Sequence, residues 1–403
     1  MKNRNFISTV LYVSIVLAGL ALDSCKEESQ SFGVVKVKIV NKDEPIKVEL
    51  SDLVDSVHYT VLETSDSCLL GEIEDVKKVD GYYFVRDNFG LYAFDDKGRF
   101  VNEISHKGNG HEEYVNLDNF YIDESRGLVG LVCNFSKKIM FFSYDGTYHS
   151  TIRMKEEDSG MASVLQCPGG GLLAHYPMPN DFNHVSFEYK QAQIFGDSLV
   201  ATPLVPMKEL STKNVYYAFL FHPMAVYKGA CLFLSALSHD VYVYQDGEIK
   251  RIYRFDVAKE LPSAKEQEGY KNENFFEVKE EIKASGKSVG LTGIQANEDY
   301  VFISLNDENM LIWDGEQSVL IKNVYDGVKN LYISNMALSG GCEDGNIGFY
   351  AADFLCRLKG KLPLGNSVLN QIVDSIDEND NPVLYQFVFK KGLVHQLKKE
   401  YGL

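Results

Sequence analysis

The stretch Tyr82–Ile104, YYFVRDNFGLYAFDDKGRFVNEI, decides the fold of this 403-residue chain. It contains three short runs rich in aromatic and β-branched residues, separated by the turn sequences NFG and DDKG. Short runs of this kind between Gly and Asp turns are typical of antiparallel hairpins. The alternating segment Ile73–Val79 lies just upstream. Together these residues predict a four-stranded antiparallel meander.

The same pattern recurs along the chain. We identify six such units, at residues 73–104, 120–154, 162–204, 219–255, 289–324 and 331–397. Each unit has a turn glycine before its last predicted strand: Gly98, Gly146, Gly196, Gly247, Gly315 and Gly392. The first three intervals between these glycines are 48, 50 and 51 residues, a period that is typical of propellers. The last two intervals are longer because they contain helix-prone insertions near residues 258–286 and 362–377.

The repeat predicts an all-β fold, a six-bladed β-propeller of four-stranded antiparallel blades, over residues 34–403. A lone meander cannot bury both of its faces, whereas radial stacking buries them against neighbouring blades. The last strand of the sixth blade is predicted at Leu393–Leu397. One of the N-terminal runs Val35–Val40 and Val57–Leu62 is expected to join the last blade and close the ring. The chain has a single Trp-Asp pair, so the repeat is not of the WD40 type.

Residues 1–24 have the layout of a secretory signal peptide. Lys2 and Arg4 precede the apolar run Phe6–Leu22. This run is too short and too interrupted for a comfortable membrane span, which needs about 20 apolar residues. Signal peptides are removed from the mature protein. The remainder of the chain is therefore expected outside the cytoplasm.

The segment Leu22–Cys25 resembles a bacterial lipobox, although Asp23 replaces the usual small residue. The thiol of Cys25 would take a diacylglycerol, so the expected partner of residues 25–33, the lipidated cysteine and its linker, is a membrane. Lys26–Ser29 resembles the short tag of surface-exposed Bacteroidota lipoproteins, and the alternative is an ordinary solvated linker. The expected location is the outer membrane, either at the cell surface or on its periplasmic face.

Charge and cysteine content restrict the partners. The formal net charge is −17, and a field this negative disfavours nucleic acid, so no nucleic-acid partner is expected. The seven cysteines include no Cys-x-x-Cys pair, so neither a zinc ribbon nor a redox motif is indicated. Cys133 and Cys231 lie in apolar runs, as buried cysteines often do. A disulfide is compatible with export, but the sequence does not define its connectivity.

Five segments of the chain resemble one known family. They are Leu53–Thr64, Tyr82–Asp87, Phe94–Gly98, Gly108–Tyr114 and Asp380–Leu384. Taken together, they are similar to the NHL-like six-bladed β-propeller lipoproteins of Bacteroidota. The resemblance implies a propeller and an extracytoplasmic location. That family has no established activity, so the resemblance implies no catalytic residue.

The candidate ligand-binding residues lie in two loops, one at the end of a first-unit strand and one between the first and second units. They are Arg86, Asp87, Asn88, His111, Glu112, Glu113 and Tyr114. Loops at the mouth of a propeller often carry ligands, and Arg86 could hold an acidic group through two hydrogen bonds. The alternative is a pair of structural turns in which Arg86 pairs with Glu112, Glu113 or Asp87 across a turn.

No residue pattern predicts a catalytic or metal site. Asp377–Asn381 is rich in oxygen ligands, but an EF-hand needs Gly at the position that Pro382 occupies. We interpret this segment as a solvated acidic turn and expect no cofactor, with a calcium ion left open. The nine histidines form no His-x-x-x-His pair, and the nucleophile-elbow and phosphate-loop motifs are absent from the sequence.

Two functional hypotheses follow. The preferred one is a membrane-anchored exported protein whose propeller binds a glycan, a peptide or an outer-membrane protein. The second is a propeller hydrolase or lyase, with or without a metal ion, whose site at the channel mouth combines single residues from several blades. The first is preferred because the sequence has no linear catalytic motif, although fold alone does not decide between them.

Overall fold

A computed structural model describes residues 34–177, 187–206, 220–269, 275–306, 309–322, 324–325, 332–333, 341–342, 345–362 and 367–403. The predicted signal peptide at residues 1–24, the lipidation site Cys25 and the rest of the 25–33 linker lie outside the described residues. Residues 36–403 form one compact unit. No helix in the described ranges is long and apolar enough to cross a membrane.

Most of the described residues belong to short strands. Two strands, β1 (Val35–Asn41) and β2 (Val54–Val61), precede the first repeat unit. The first unit consists of β3 (Ile73–Val79), β4 (Tyr82–Asp87), β5 (Leu91–Asp95) and β6 (Phe100–Glu103). The second consists of β7 (Asn119–Asp123), β8 (Leu128–Cys133), β9 (Lys138–Ser143) and β10 (Tyr148–Arg153). The third consists of β11 (Ser163–Gln166), β12 (Leu172–His175), β13 (Phe187–Phe195) and β14 (Ser198–Pro206).

The second half of the chain continues this pattern. The fourth unit consists of β15 (Met224–Tyr227), β16 (Ala230–Leu234), β17 (Asp240–Gln245) and β18 (Glu248–Val257). The fifth consists of β19 (Leu291–Ala296), β20 (Val301–Leu305), β21 (Asn309–Trp313) and β22 (Ser318–Lys322). The short strands β23 (Val324–Tyr325) and β24 (Tyr332–Ile333) pair with each other. The sixth unit contains β25 (Gly341–Cys342), β26 (Gly345–Tyr350) and β27 (Val383–Phe389).

The described helices are short. They are α1 (Leu50–Leu53), α2 (Ala264–Gly269), α3 (Phe275–Ala284), α4 (Ala352–Cys356), α5 (Ser367–Ser375) and α6 (Leu393–Tyr401), with one 3₁₀ turn at Glu156–Asp158. Helices α2 and α3 lie in the insertion predicted near residues 258–286, and α5 lies in the one predicted near 362–377. Both predicted helical insertions are therefore confirmed.

The strands assemble into an all-β, propeller-like set of sheets. The first and fifth units each form a separate four-stranded sheet, and β1 joins the edge of the fourth unit to make five strands. The second and third units share one eight-stranded sheet, because their last strands β10 and β14 form a parallel pair at Arg153 and Ser198. The sheets thus do not separate into six four-stranded blades as the repeat predicted.

The N-terminal strand β2 completes the last sheet, whose order is β2-β27-β26-β25. It runs antiparallel to β27, from Val54 opposite Phe389 to Val61 opposite Val383. The expectation that an N-terminal run joins the last blade is therefore confirmed.

The prediction of a strand at Leu393–Leu397 is wrong, because these residues form the beginning of helix α6. Strand β2 already occupies the free edge of β27, so no position remains there for another strand. Leu393, Val394 and Leu397 are all buried. Their spacing of three to four residues is that of one helix face.

Apolar side chains fill the space between consecutive sheets. Phe84 of the first unit shares a buried cluster with Phe120 and Met140 of the second unit. On the other side, Val85 of the first unit shares a cluster with Leu384 of the last sheet. The first sheet is therefore covered on both faces, as radial stacking requires.

The six predicted turn glycines all have positive φ angles. Gly98 shows why a larger residue does not fit. Its φ is +77°, and an added Cβ would lie 2.2 Å from the carbonyl oxygen of Val61. The turn that separates the last two strands of the first unit thus also makes close contact with the closing strand β2.

The buried imidazole of His175 makes the fold sensitive to acid. His175 is 1 % exposed, and burial lowers its pKa to about 3. Below about pH 6.5 the unfolded chain binds the proton and the folded chain does not, so stability falls with pH until about pH 3. The slope from this residue is about 1.4 kcal/mol per pH unit.

We therefore expect His175→Phe to flatten the loss of stability in urea melts run from about pH 6.5 to about pH 4.5. The exposed His149 offers a matched control, since His149→Phe should leave that slope unchanged. Equal slopes for the wild type and His175→Phe would contradict the assignment.

Candidate functional site

A cavity of about 250 Å³ lies where the first strands of five units converge. Strands β3, β7, β11, β15 and β19 all contribute side chains to its wall. Strand β11 contacts both β7 and β15, and β15 also contacts β19. Because these are the innermost strands of their units, we call this space the central cavity.

An ion pair lies in the wall of the central cavity. Asp75 and Lys77 are two residues apart on β3 and therefore point to the same face. The Nζ of Lys77 lies 2.5 Å from the Oδ2 of Asp75, and the two side chains are only 30 % and 13 % exposed. Burial raises the pKa of Asp75, but the charge and hydrogen bond of Lys77 outweigh it and leave the net pKa below its ordinary value. The Asp75 carboxylate is therefore ionised and lies in the cavity wall beside the Nζ of Lys77.

His222 lies in the same wall. It precedes β15 and forms a parallel bridge with Gly293 of β19, where its carbonyl oxygen accepts a hydrogen bond of 2.7 Å from the backbone of Ile294. Burial lowers the pKa of His222, and Asp75 opposes this shift only in part. The imidazole is therefore neutral at neutral pH, with one nitrogen able to donate and the other able to accept a hydrogen bond.

Two further lining residues have buried polar atoms that lack a partner among the described residues. They are the Nε2 of Gln295 and the hydroxyl of Tyr121. Gln295 is 8 % exposed, and its Oε1 accepts a hydrogen bond of 3.3 Å from Asn346. Buried polar atoms usually have a partner, and those that do not need an explanation. A polar ligand in the central cavity would supply one for Gln295, whereas the Tyr121 ring lies over Gly130 of β8 and against Phe141 of β9.

The first group of predicted site residues makes local contacts. Asp87 is buried, and its carboxylate accepts hydrogen bonds of 2.6–2.8 Å from the backbone N–H groups of Gly71, Phe89 and Gly90. Arg86 forms an ion pair with Glu74 of the neighbouring strand β3, so the expected pairing with Glu112, Glu113 or Asp87 is wrong. The neighbouring residue Asn88 is exposed.

The second group belongs to the loop that follows β6. The Glu113 carboxylate accepts a hydrogen bond of 2.7 Å from the backbone of Gly110, and the hydroxyl of buried Tyr114 donates one of 3.3 Å to the carbonyl of Phe89. His111 and Glu112 are exposed, and the His111 ring meets Tyr148 edge-on.

The structure thus brings the two predicted loops together, through the hydrogen bond of Tyr114. None of the seven predicted residues lines the central cavity. Their contacts correspond to the alternative of two structural turns. Ligand binding at these loops stays a prediction.

The segment Asp377–Asn381 is a tight turn. The carboxylate of Asp380 accepts a hydrogen bond of 2.7 Å from the backbone of Asp377, and Asn381 is buried against the N-terminal part of the chain. Within the part of the chain that the structure describes, no group of three or more His, Cys, Asp or Glu side chains is placed to hold a metal ion.

Sequence reasoning missed the residues of the central cavity. Asp75 and Lys77 gave only an ambiguous signal, because β3 carries charges on both faces, with Glu74 and Lys78 on the opposite one. His222 gave no such signal, since its place depends on pairing with a strand about 70 residues further along the chain.

The fold and the central cavity define a propeller-like, all-β protein with a polar space between its inner strands. The chain belongs to a family described as Domain of unknown function (DUF4934), whose sequence profile matches residues 32–387. No match was found among curated proteins.

Two solved structures share the fold. A protein from Bacteroides fragilis NCTC 9343 that is described as exported has a TM-score of 0.67 and 17 % identity, over 89 % of this chain and all of that one. A member of the DUF4221 family from Bacteroides vulgatus ATCC 8482 has a TM-score of 0.50 and 10 % identity, over 84 % of this chain and 97 % of that one.

Proposed function

We propose that this chain is an exported, lipid-anchored protein whose propeller binds a polar ligand in the central cavity. One observation carries the proposal. The ion pair of Asp75 and Lys77, the neutral imidazole of His222 and the side chain of Gln295 all line the central cavity. A few convergent polar groups in a concave site are typical of ligand-binding pockets.

The propeller is proposed to have six blades, as in the NHL-like lipoproteins that the sequence resembles. The eight-stranded sheet supports this count, because it consists of two four-stranded meanders that meet only at the parallel pair of Arg153 and Ser198. Each meander has its own inner strand, β7 or β11, at the central cavity. Counted as two blades, this sheet and the four other sheets that have four or five strands give six.

The proposed location is the outer membrane, with Cys25 as the lipid anchor and the propeller at the cell surface. Leu22–Cys25 supports the anchor through its resemblance to a lipobox. The description of the Bacteroides fragilis protein as exported agrees with this location.

The proposed ligand is a glycan or a peptide. Asp75 would accept hydrogen bonds, Lys77 and Gln295 would donate them, and His222 would do either. These groups match the hydroxyl, amide and carboxylate groups of sugars and peptides. A volume of about 250 Å³ admits one sugar unit or one side chain. A partner outer-membrane protein would therefore insert only the tip of a loop.

Binding is tested with the full chain carrying Cys25→Ser, on a glycan array and a library of short peptides. We expect a ligand to emerge, and the pair of substitutions Asp75→Asn and Lys77→Gln to weaken its binding about 10- to 100-fold, because charge-assisted hydrogen bonds are lost. The matched control is Glu74→Gln with Arg86→Gln, which removes an ion pair of the same sheet outside the central cavity.

Two results would count against this proposal. If the control pair weakens binding and the cavity pair does not, the ligand binds at the predicted loops instead. If no glycan or peptide binds, the central cavity is not a ligand site of this class. Location is tested separately, since Cys25→Ser should abolish lipid labelling and release the protein from the membrane fraction.

One observation favours the alternative, a hydrolase or lyase. His222 is held neutral in the central cavity, as a general base must be. Metal analysis of the purified protein and turnover assays on any ligand found would decide this. His222→Gln should then abolish turnover and weaken binding much less, because the Gln amide keeps one hydrogen-bond donor and one acceptor.

A further inference from the structure

Two cysteines meet at the contact between the third and fourth units. Cys167 follows strand β11, in the turn that leads to β12, and Cys231 lies in β16. Their sulfur atoms are 3.0 Å apart, although the residues are 64 positions apart in sequence. Both are buried, at 5 % and 0 % exposure. A sulfur–sulfur bond is about 2.05 Å long, so a shift of about 1 Å would join them.

We propose that Cys167 and Cys231 form a disulfide that links the third unit to the fourth. The link would cross the cluster that contains Leu173, Tyr189 and Phe233, where the eight-stranded sheet packs on the five-stranded one. Other cysteines with described side chains lie apart from this pair. Cys68 contacts Asn381, Cys133 contacts the carbonyl of Leu131, and Cys356 contacts that of Ile376.

The chemistry balances with one co-reactant, a small-molecule or protein disulfide. Each of the two thiols loses its proton, the pair loses two electrons as the sulfur–sulfur bond forms, and the co-reactant is reduced to two thiols. The proposal rests on the proposed export, because such oxidants prevail outside the cytoplasm. The hydrogen bond with Cys167 and burial raise the pKa of the Cys231 thiol, which disfavours the reactive thiolate in the folded protein. The bond therefore forms during folding, before the contact between the units closes.

The test uses the purified full chain with Cys25→Ser, which retains six cysteines. The protein is refolded with oxidised glutathione, denatured without reductant and alkylated. We expect four alkylated cysteines before reduction and six after it, with one linked peptide pair that contains Cys167 and Cys231. Six alkylated cysteines before reduction, or a different linked pair, would overturn the proposal.

A stability measurement supplies a second readout. A cross-link that closes about 65 residues constrains the unfolded chain, so the double variant Cys167→Ala and Cys231→Ala should melt about 5 °C below the oxidised parent. The matched control Cys133→Ala removes an equally buried cysteine outside the pair. Adding a reductant should lower the Tm of the parent and of the Cys133→Ala control, because both contain the disulfide. It should leave the Tm of the double variant unchanged. An equal effect of reductant on all three proteins would overturn the proposal.

A measurement in cells distinguishes failure of this inference from failure of the proposed function. Quenching the cells in acid, followed by alkylation of the denatured protein, reports whether the pair was oxidised in place. A bond that forms in the purified protein while the thiols stay free in cells would support the pairing and contradict the exported location. A bond found in both supports the two proposals together.

Discussion

Asn381→Ala is expected to lower the free energy of unfolding by about 3–5 kcal/mol, because it removes the side-chain partner of three backbone groups, in one buried and two partly buried hydrogen bonds. The Oδ1 of Asn381 accepts a hydrogen bond of 2.8 Å from the backbone of Leu70. Its Nδ2 donates to the carbonyl oxygens of Glu63 at 2.7 Å and Cys68 at 2.9 Å. Asn381 is 1 % exposed, so water cannot replace these bonds without a structural change.

The position of Asn381 in the chain adds to the effect. Its partners lie more than 310 residues away, just after the closing strand β2. Asn381 thus joins the segment after β2 to the loop before β27. This connection adds to the backbone pairing between β2 and β27. We expect its loss to weaken the closure of the ring of sheets and not only one turn.

The measurement is a urea melt, with Asn379→Ala as the matched control. Asn379 belongs to the same turn, but it is exposed, and among the described residues its side chain bonds to Asp377 alone. The control should change stability by less than about 1 kcal/mol. If the two variants lose the same free energy of unfolding, the side-chain hydrogen bonds of Asn381 do not stabilise the closure of the ring of sheets.

The strands of the first five units could be predicted because local signals agree there. In the first unit, each predicted strand has its hydrophobic alternation and each turn its glycine, and β3 to β6 form within one or two residues of the expected ends. The stretch Leu393–Leu397 lacked such agreement, since five residues fit either a strand or one turn and a half of helix. Its helical identity depends on β2 already occupying the edge of β27, which is a contact distant in sequence.

The candidate site was harder to predict than the fold. The polar loop Gly108–Tyr114 was predicted to bind a ligand because loops often do. In the structure, Glu113 and Tyr114 make hydrogen bonds within the protein. The cavity residues Asp75 and Lys77 lie in an ordinary strand, and only the arrangement of inner strands around one space distinguishes them. Sequence position does not reveal which face of a strand meets that space.

Lys190→Met is expected to lower the free energy of unfolding by about 3–5 kcal/mol, because it leaves Asp158 buried without a counter-charge. The Nζ of Lys190 lies 3.0 Å from the Oδ1 of Asp158, and the two side chains are 7 % and 5 % exposed. The same ammonium donates to the carbonyl of Glu157 and lies 5.0 Å from the ring centroid of Tyr176. The pair therefore connects β13 with the 3₁₀ turn between the second and third units.

Two comparisons in urea melts separate charge from packing. Lys250→Met removes a pair with Glu248 whose side chains are 41 % and 60 % exposed, and should change stability far less than Lys190→Met, because solvent screens an exposed pair. Lys190→Met combined with Asp158→Asn should recover at least half of the lost stability, because the uncompensated carboxylate is gone. If the double variant recovers nothing, the loss comes from the packing of the lysine stem, and burial of an unpaired charge is not its cause.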